Sequence, residues 1–388
     1  MLLSVVMEKH WSVHKMGIDM SSAFDTIHRS TILSLLDEAG CSEDDIRLVR
    51  YLLSQTKLTV KINNTISSEF KCTIGAYQGD SLSGCLFTLV LAGGLYHLRA
   101  TSSTIRPDPP INPQNLPMEW EYADDTDFLD EDLTILQHLL QLCKKVLGEW
   151  NLTINEEKTE FVKFYLASDG ECDSNGEALK DREEWRTSVS LGSRLCSKVD
   201  ILHRCNLGNA AFQNYKKVWL KGQHINLMTK LKIYEAQVTS VILYNCTSWA
   251  APQNTLHKLD VCQRRHLRHI LKMQWPKPTL TNEALYKKCK LQPLSERVQL
   301  SRWKMLGHVL RGDNTTPAQL ALHFAVDANT PLPGRIGRHQ DKLPRTIRKD
   351  LSVRGIKLQN IDDLHTIRTI ASNRITWNMM AKVKTVHC

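Results

Sequence analysis

A chain of 388 residues is longer than a single domain usually is, and its 42% hydrophobic content is enough for two or three packed cores. The longest apolar run, Leu86 to Leu95, is interrupted by Gly93 and Gly94 and falls well short of the roughly 18 residues that suggest a membrane span; Met1 to Met7 lacks the basic flank and cleavage site of a secretory signal. Eleven scattered cysteines without a C-x-x-C pair exclude a disulfide framework and indicate thiols in a reducing compartment, so the chain is expected in the nucleus or cytoplasm, neither secreted nor on a membrane.

The overall net charge of +9 hides two opposite halves. Residues 251–388 hold 25 Lys and Arg against 9 Asp and Glu, while residues 1–250 hold 25 against 32. A basic block of that size supplies the sequence-independent part of nucleic-acid affinity through phosphate neutralisation; a solvated helical surface is the plainer alternative for any one stretch.

In chain order, a strand-like segment ends at Gly17-Ile18 and is followed by a helical pattern over Ser30 to Ala39 that stops at Gly40. Ser42 with Asp45 resembles a capping box for a second helix near Ile46 to Gln55. Lys57 to Ile62 and Ser68 to Ile74 alternate around Asn63-Asn64, a hairpin signal, and Leu82 to Arg99 predicts a long buried helix. After the Pro-rich stretch Arg106 to Pro117, Glu119 to Ala123 and Thr126 to Leu129 predict two short strands joined at Asp124-Asp125, followed by an amphipathic helix over Leu133 to Trp150. Residues 168–182 are polar and mark a boundary. Beyond it the helical patterns are Leu231 to Tyr244, Leu256 to Met273, Leu294 to Leu310, Leu343 to Leu351 and Leu364 to Met380, with a basic linker at Pro331 to Pro344.

Three Asp-Asp pairs allow a comparison. Asp44-Asp45 and Asp362-Asp363 fall at helix starts, where acids cap free amides and offset the helix dipole. Asp124-Asp125 instead occupies a tight turn between apolar strands. At about 4 Å two like charges cost on the order of 4 kcal/mol at an effective dielectric of 20, and a divalent cation offsets this, since hard cations prefer carboxylate and phosphate oxygens. Asp19, at the end of the first strand, is the natural third carboxylate of a two-metal site, provided that its strand neighbours the one beginning near Asp125.

The segment Gly17-Ile18-Asp19-Met20-Ser21-Ser22-Ala23-Phe24-Asp25 resembles the first catalytic motif of reverse transcriptases. Tyr77-Gln78-Gly79-Asp80-Ser81-Leu82-Ser83 resembles the second, Tyr122-Ala123-Asp124-Asp125 the third, and Leu152-Thr153-Ile154-Asn155-Glu156-Glu157-Lys158-Thr159 the fourth. Leu191-Gly192-Ser193, Asp200-Ile201, Arg204 and Ala210-Ala211-Phe212 resemble the palm-to-thumb segment of non-LTR (LINE-type) retrotransposons, and Arg302-Trp303 through Gly307-His308 with Pro333-Gly334-Arg335 through Arg338 their tail. Where the second motif usually ends in Ser-Pro, Ser83 precedes Gly84, which is expected to loosen the start of the following helix.

The resemblance implies an α+β fold: a right-hand polymerase palm, with an antiparallel or mixed sheet and helices packed behind it, then a helical thumb and a helical, basic C-terminal region. The expected domains are 1–165 (palm with partial fingers), 166–250 (connection and thumb) and 251–388. The implied function is RNA-directed DNA polymerase, with a catalytically inactive, nucleic-acid-binding retroelement fragment as the alternative. Asp19, Asp124 and Asp125 would hold two Mg²⁺ or Mn²⁺ ions. Lys158 would sit near the triphosphate and donate a proton to pyrophosphate, Phe24 would exclude a 2′ hydroxyl, and Gln78 and Gly79 would touch nucleotide and template. The implied partners are an RNA template, a DNA primer and deoxynucleoside triphosphates. Arg264, Arg265, Arg268, Arg335 and Arg338 are the candidate phosphate contacts in the basic region. With eighteen residues before Asp19, the finger segments and any endonuclease are expected to be missing, as in an N-terminally truncated element.

Two further patterns are ambiguous. Cys262, His266, His269 and Cys289 have a spacing that invites zinc, but without a C-x-x-C pair the stretch is more simply a basic helix. Trp275 and Trp303 suit either base stacking or core packing, and packing is the simpler expectation.

Overall fold

A computed structural model of the chain describes residues 13–21, 23–77, 79–105, 118–164, 188–273, 280–326 and 343–381. The chain divides into two compact units, Val13–Lys163 and a second from Phe164 onward.

The first unit begins with β1 (Val13–Ile18), β2 (Met20–Ser21) and the helices α1 (Ala23–Thr26), α2 (Arg29–Glu38) and α3 (Glu43–Ser54). A ribbon follows, in which β3 (Lys57–Leu58) pairs with β6 (Phe70–Lys71) and β4 (Lys61–Ile62) with β5 (Thr65–Ile66), turning at Asn63-Asn64 as the alternation predicts. Then come α4 (Ser81–Ser102), β7 (Glu119–Tyr122), β8 (Asp125–Asp130), α5 (Leu133–Glu149), β9 (Thr153–Ile154) and β10 (Glu160–Phe164). Four strands form one sheet in the order β10-β1-β8-β7, so the first and third motifs lie on adjacent strands.

Period-two burial decides how this sheet packs. Met16, Ile18 and Phe128 leave one face and enter a core with Leu86, Phe87, Val90, Leu91, Leu95 and Leu98 of α4 and Leu136, Leu139, Cys143, Val146 and Leu147 of α5. Adjacent glycines let the two helices approach: a Cβ at Gly93 would lie 2.8 Å from the Trp150 ring, and one at Gly94 would lie 3.0 Å from Leu147. By length and composition α4 qualifies as a membrane-crossing helix, which the Leu86 to Leu95 run alone did not indicate; its apolar side chains are spent on this core instead. The expected loosening at Gly84 is not found. The helix runs unbroken from Ser81 because the Asp80 side chain accepts from Leu82 N (3.4 Å) and caps it in place of the missing proline.

The second unit opens with the hairpin β11 (Val189–Ser190) and β12 (Ser193–Arg194), then α6 (Ser197–Tyr215) and a π turn over Lys216–Leu220. Next are α7 (Leu227–Tyr234), a second π turn over Glu235–Thr239, α8 (Ser240–Ile242), α9 (Gln253–Ile270) and α10 (Asn282–Cys289). The unit ends with α11 (Leu294–Arg311), α12 (Pro317–Val326), α13 (Leu343–Ser352), α14 (Ile361–Ser372) and α15 (Arg374–Met380). The single helix expected over Leu364 to Met380 is broken at Asn373, whose side chain accepts from Ile375 N and Thr376 N and starts a new helix. As expected, Asp44-Asp45 and Asp362-Asp363 sit in helical first turns.

Candidate active site

The site grows from the ends of β1 and β8. These strands are antiparallel, with Gly17 opposite Asp127 and Ile18 opposite Thr126; one step further, Asp19 stands opposite Asp125. The β7–β8 hairpin pairs Tyr122 with Asp125, leaving Ala123 and Asp124 as its two-residue turn, and Ala123 takes the left-handed conformation (φ 55°). Asp19, Asp124 and Asp125 are thus brought to one edge of the sheet by register and turn geometry.

Their electrostatics follow from crowding. Burial pushes the Asp125 carboxyl above the usual aspartate range, and Asp124, Asp127 and Asp19 push it further in the same direction, against Lys15. Lys158 reaches the group from the fourth motif. Met20 pairs with Ile154, Asn155 N donates to the Asp19 carbonyl (2.8 Å), and Lys158 Nζ lies 3.2 Å from Asp19 Oδ2.

Among the described residues no group of three or more acidic, histidine or cysteine side chains is closed around a common point. Mg²⁺ takes one or two protein carboxylates and completes its shell with water and phosphate oxygens. The donor set, all hard carboxylate oxygens and none of them nitrogen or sulfur, fits such an ion.

Phe24 is half-buried, stacked on Phe87 of α4 (centroids 4.6 Å apart) at the edge of the core. Gln78 lies outside the described residues. Gly79 has φ +94°, and among the described residues no atom beyond its own chain neighbours lies within 4 Å of where its Cβ would be. Its glycine identity therefore follows from backbone conformation rather than from a close protein contact.

Two residues that the sequence did not single out fix the approach to the second motif. Gly75 (φ +77°) packs so tightly on α1 that a Cβ would lie 2.8 Å from the Asp25 carbonyl oxygen, and Ala76 N donates to the Phe24 carbonyl (2.8 Å). Arg29 holds the same stretch from the other side, its guanidinium donating to the carbonyls of Gly75 (3.0 Å), Leu53 (2.5 Å), Cys72 (2.7 Å) and Ile74 (3.3 Å). The only sequence signal was an arginine next to an otherwise ordinary helix start.

In the second unit the matched motifs are structural. Asp200 is buried and accepts from Trp249 Nε1 (2.7 Å) and Arg194 N (2.9 Å), beside Arg204, which donates to the Gly192 carbonyl and to Ser193 Oγ and stacks on Tyr244. Arg302 ties α11 to α13 through Asp350 (2.6 Å), and Trp303 is stacked on Trp377 (4.1 Å), each indole donating to the other residue's carbonyl. Gly307 leaves the space that Trp377 occupies.

The candidate basic contacts lie on α9. Arg265 is exposed, Arg264 lies beside His257 (3.4 Å) and Arg268 donates to Asn282 (2.8 Å). Arg335, Arg338 and Trp275 lie outside the described residues. Cys262 and His266 are built into the core: both contact Asn209, and His266 also stacks on Phe212 and hydrogen-bonds Tyr234 (3.2 Å).

Residues 4–195 match the reverse transcriptase (RNA-dependent DNA polymerase) family, and the chain therefore carries a reverse transcriptase domain with a polymerase palm. Its relatives include the retrovirus-related Pol polyproteins from type-1 retrotransposable element R2 of Bradysia coprophila (30% identity over 158 residues) and Popillia japonica (25% over 166 residues). The alignments cover 39% and 42% of this chain but 16% and 23% of those polyproteins. Residues 4–195 thus form a reverse transcriptase domain, similar to that of the polyproteins of type-1 retrotransposable element R2, of whose length the chain spans less than a quarter. Among solved structures, apo telomerase from Candida tropicalis covers 98% of the chain and 55% of its own length at 11% identity and a TM-score of 0.35. A form of that telomerase truncated from its C-terminal domain covers 45% of the chain and 34% of its own length at 16% identity and a TM-score of 0.33. Both scores fall below the level that marks a common fold.

Proposed function

We propose that the chain extends a DNA primer on an RNA template, with Asp19, Asp124 and Asp125 holding two divalent cations. The observation that carries this reading is the register of β1 against β8, which sets Asp19 opposite Asp125 beside the Asp124 turn. Bound there, Mg²⁺ or Mn²⁺ would lower the pKa of the primer 3′ hydroxyl and neutralise charge on the leaving pyrophosphate.

The chain's own residues do the rest by positioning. Lys158 is tethered beside Asp19, and with its side chain 65% exposed it is free to turn towards an incoming triphosphate and to donate a proton to the leaving group. Phe24, held against Phe87, presents a fixed wall suited to excluding a 2′ hydroxyl. The open space at Gly79 admits nucleotide or template against bare backbone, with Gln78 as the neighbouring side-chain contact. Arg264, Arg265 and Arg268 on α9, with Arg335 and Arg338, are suited to neutralising phosphates. The assembly acts in the nucleus or cytoplasm.

A second reading, a nucleic-acid-binding retroelement fragment without polymerase activity, is favoured by the Lys158 contact with Asp19 and by the open arrangement of the acids. Titration with Mn²⁺ in the presence of primer, template and deoxynucleoside triphosphate separates the two. Two bound ions, lost in Asp124→Asn, are expected; no bound ion in the unmodified chain removes the polymerase reading.

A further inference from the structure

The seam between α6 and α9 is built turn by turn. Asn209 of α6 meets two successive turns of α9: its Oδ1 accepts from Cys262 Sγ (3.5 Å) and lies 2.9 Å from His266 Nε2. One turn further along, Phe212 stacks on His266 (centroids 4.2 Å apart), with His269 beyond it (6.1 Å). The spacing of Cys205, Asn209 and Phe212 along α6 is thus the spacing of Cys262, His266 and His269 along α9, and it sets Cys205 against Cys262. Both are free thiols, 9% and 7% exposed, and they are hydrogen-bonded to each other. The bond is polarised. Donation from Cys205 pulls the Cys262 thiol below the ordinary cysteine range, against burial and with help from Arg265, while the same bond and burial push the Cys205 thiol up.

We propose that Cys205 and Cys262 are a peroxide-sensitive dithiol, Cys262 the attacking sulfur and Cys205 the resolving one, whose disulfide locks α6 to α9. The Cys262 thiol releases its proton to solvent, and the thiolate attacks one oxygen of hydrogen peroxide and breaks the O–O bond. The hydroxide that leaves takes the Cys205 proton and becomes water, so that Cys262 is a sulfenic acid and Cys205 a thiolate. Cys205 then attacks the Cys262 sulfur, forming the S–S bond and expelling hydroxide, which recovers the first proton as a second water. Two electrons pass from the thiols to the peroxide. All nine described cysteines are free, and in such a chain a disulfide is a transient, sensing bond rather than a structural one. The lock ties the helix that carries Arg264, Arg265 and Arg268 to its neighbour.

The test is oxidation of the folded, full chain by hydrogen peroxide, with the remaining thiols blocked by N-ethylmaleimide and the disulfides mapped by mass spectrometry of unreduced peptides. A Cys205–Cys262 link is expected, reversed by dithiothreitol and accompanied by a rise in melting temperature of about 3 °C or more. In Cys205→Ala the sulfenic acid is expected to stay on Cys262, where dimedone labels it at least about fivefold more than it labels Cys205 in Cys262→Ala. Mapping on the unmodified chain needs no variant, so it decides the case even if a core substitution prevents folding. Oxidation confined to the exposed Cys41 and Cys85, or a Cys205–Cys262 link that forms only in urea, overturns the dithiol. A link without a rise in melting temperature overturns the lock, and equal or stronger labelling of Cys205 overturns Cys262 as the attacking sulfur. The polymerase reading is tested separately, by cation binding and primer extension.

Discussion

Asp19 and Asp125 face each other from the ends of two antiparallel strands, one register step past the Ile18–Thr126 pair, and Asp125 holds its proton more tightly than an ordinary aspartate because of burial, Asp124, Asp127 and Asp19. Without a cation these acids oppose the fold.

The folded state binds the Asp125 proton more tightly than the unfolded state does, so this group's contribution to cation-free stability is present at low pH and is lost as pH rises through and above the usual aspartate range. Asp125→Asn should remove that dependence. At neutral pH it should stabilise the cation-free chain by less than about 1 kcal/mol, since the group is solvent-exposed, and it should abolish the rise in melting temperature on adding Mg²⁺. Thermal melts with and without Mg²⁺ at several pH values check both signs.

Arg29 donates to four backbone carbonyls, those of Leu53, Cys72, Ile74 and Gly75, and shares the first two with the Thr56 hydroxyl. Its replacement by Ala should cost the Val13–Lys163 unit about 3 kcal/mol, and Lys, which lacks the guanidinium fork, should recover less than half of that. Urea unfolding gives the magnitude. Faster amide exchange at Gly75 and Ala76 would localise it to the segment that leads into the second motif.

Trp303 and Trp377 form a buried, reciprocally hydrogen-bonded stack over Gly307. Trp303→Ala should destabilise the second unit by about 3–5 kcal/mol, whereas Trp303→Phe, which keeps a ring in the stack, should cost less and leave nucleic-acid affinity unchanged. A loss of affinity in the folded Phe variant would contradict a purely structural tryptophan.

His266 is 2% exposed, and burial, helped by His269, Arg265 and Lys216, lowers its pKa to about 4. The unfolded chain binds this proton more readily, so stability is full above about pH 6.5 and falls as pH drops towards 4, by on the order of 3 kcal/mol. His266→Gln should flatten that part of the pH–stability curve, as measured by urea unfolding between those limits.

The acidic end of the β7–β8 hairpin was legible because its chemistry is local: adjacent acids at a turn between apolar strands have few structural uses, although the turn itself is Ala123-Asp124 and Asp125 already belongs to β8, one residue from the expected junction. Lys158 was legible for the same reason, through a contiguous motif. Lys15 was not, since a lysine in a strand normally reads as exposed, and its partner Asp127 is 112 positions away in the chain, set by a register that no local pattern reveals. Arg29 and Gly75 escaped for a similar reason, their contacts joining segments separated by α3 and the ribbon. In the second unit the residues around Asp200 resembled a family segment, yet what they specify is packing, since a buried aspartate needs Trp249 and Arg194 as donors; for Trp303 packing was already the simpler expectation, and its stack needs a glycine beneath it.

Primer extension by the purified chain, on an RNA template with a DNA primer, deoxynucleotides and Mg²⁺, tests the central claim most directly. Extension by the unmodified chain and none by Asp124→Asn/Asp125→Asn is the predicted result. Equal extension by both proteins, or none by either while nucleic acid is still bound, would contradict a polymerase site at the ends of β1 and β8.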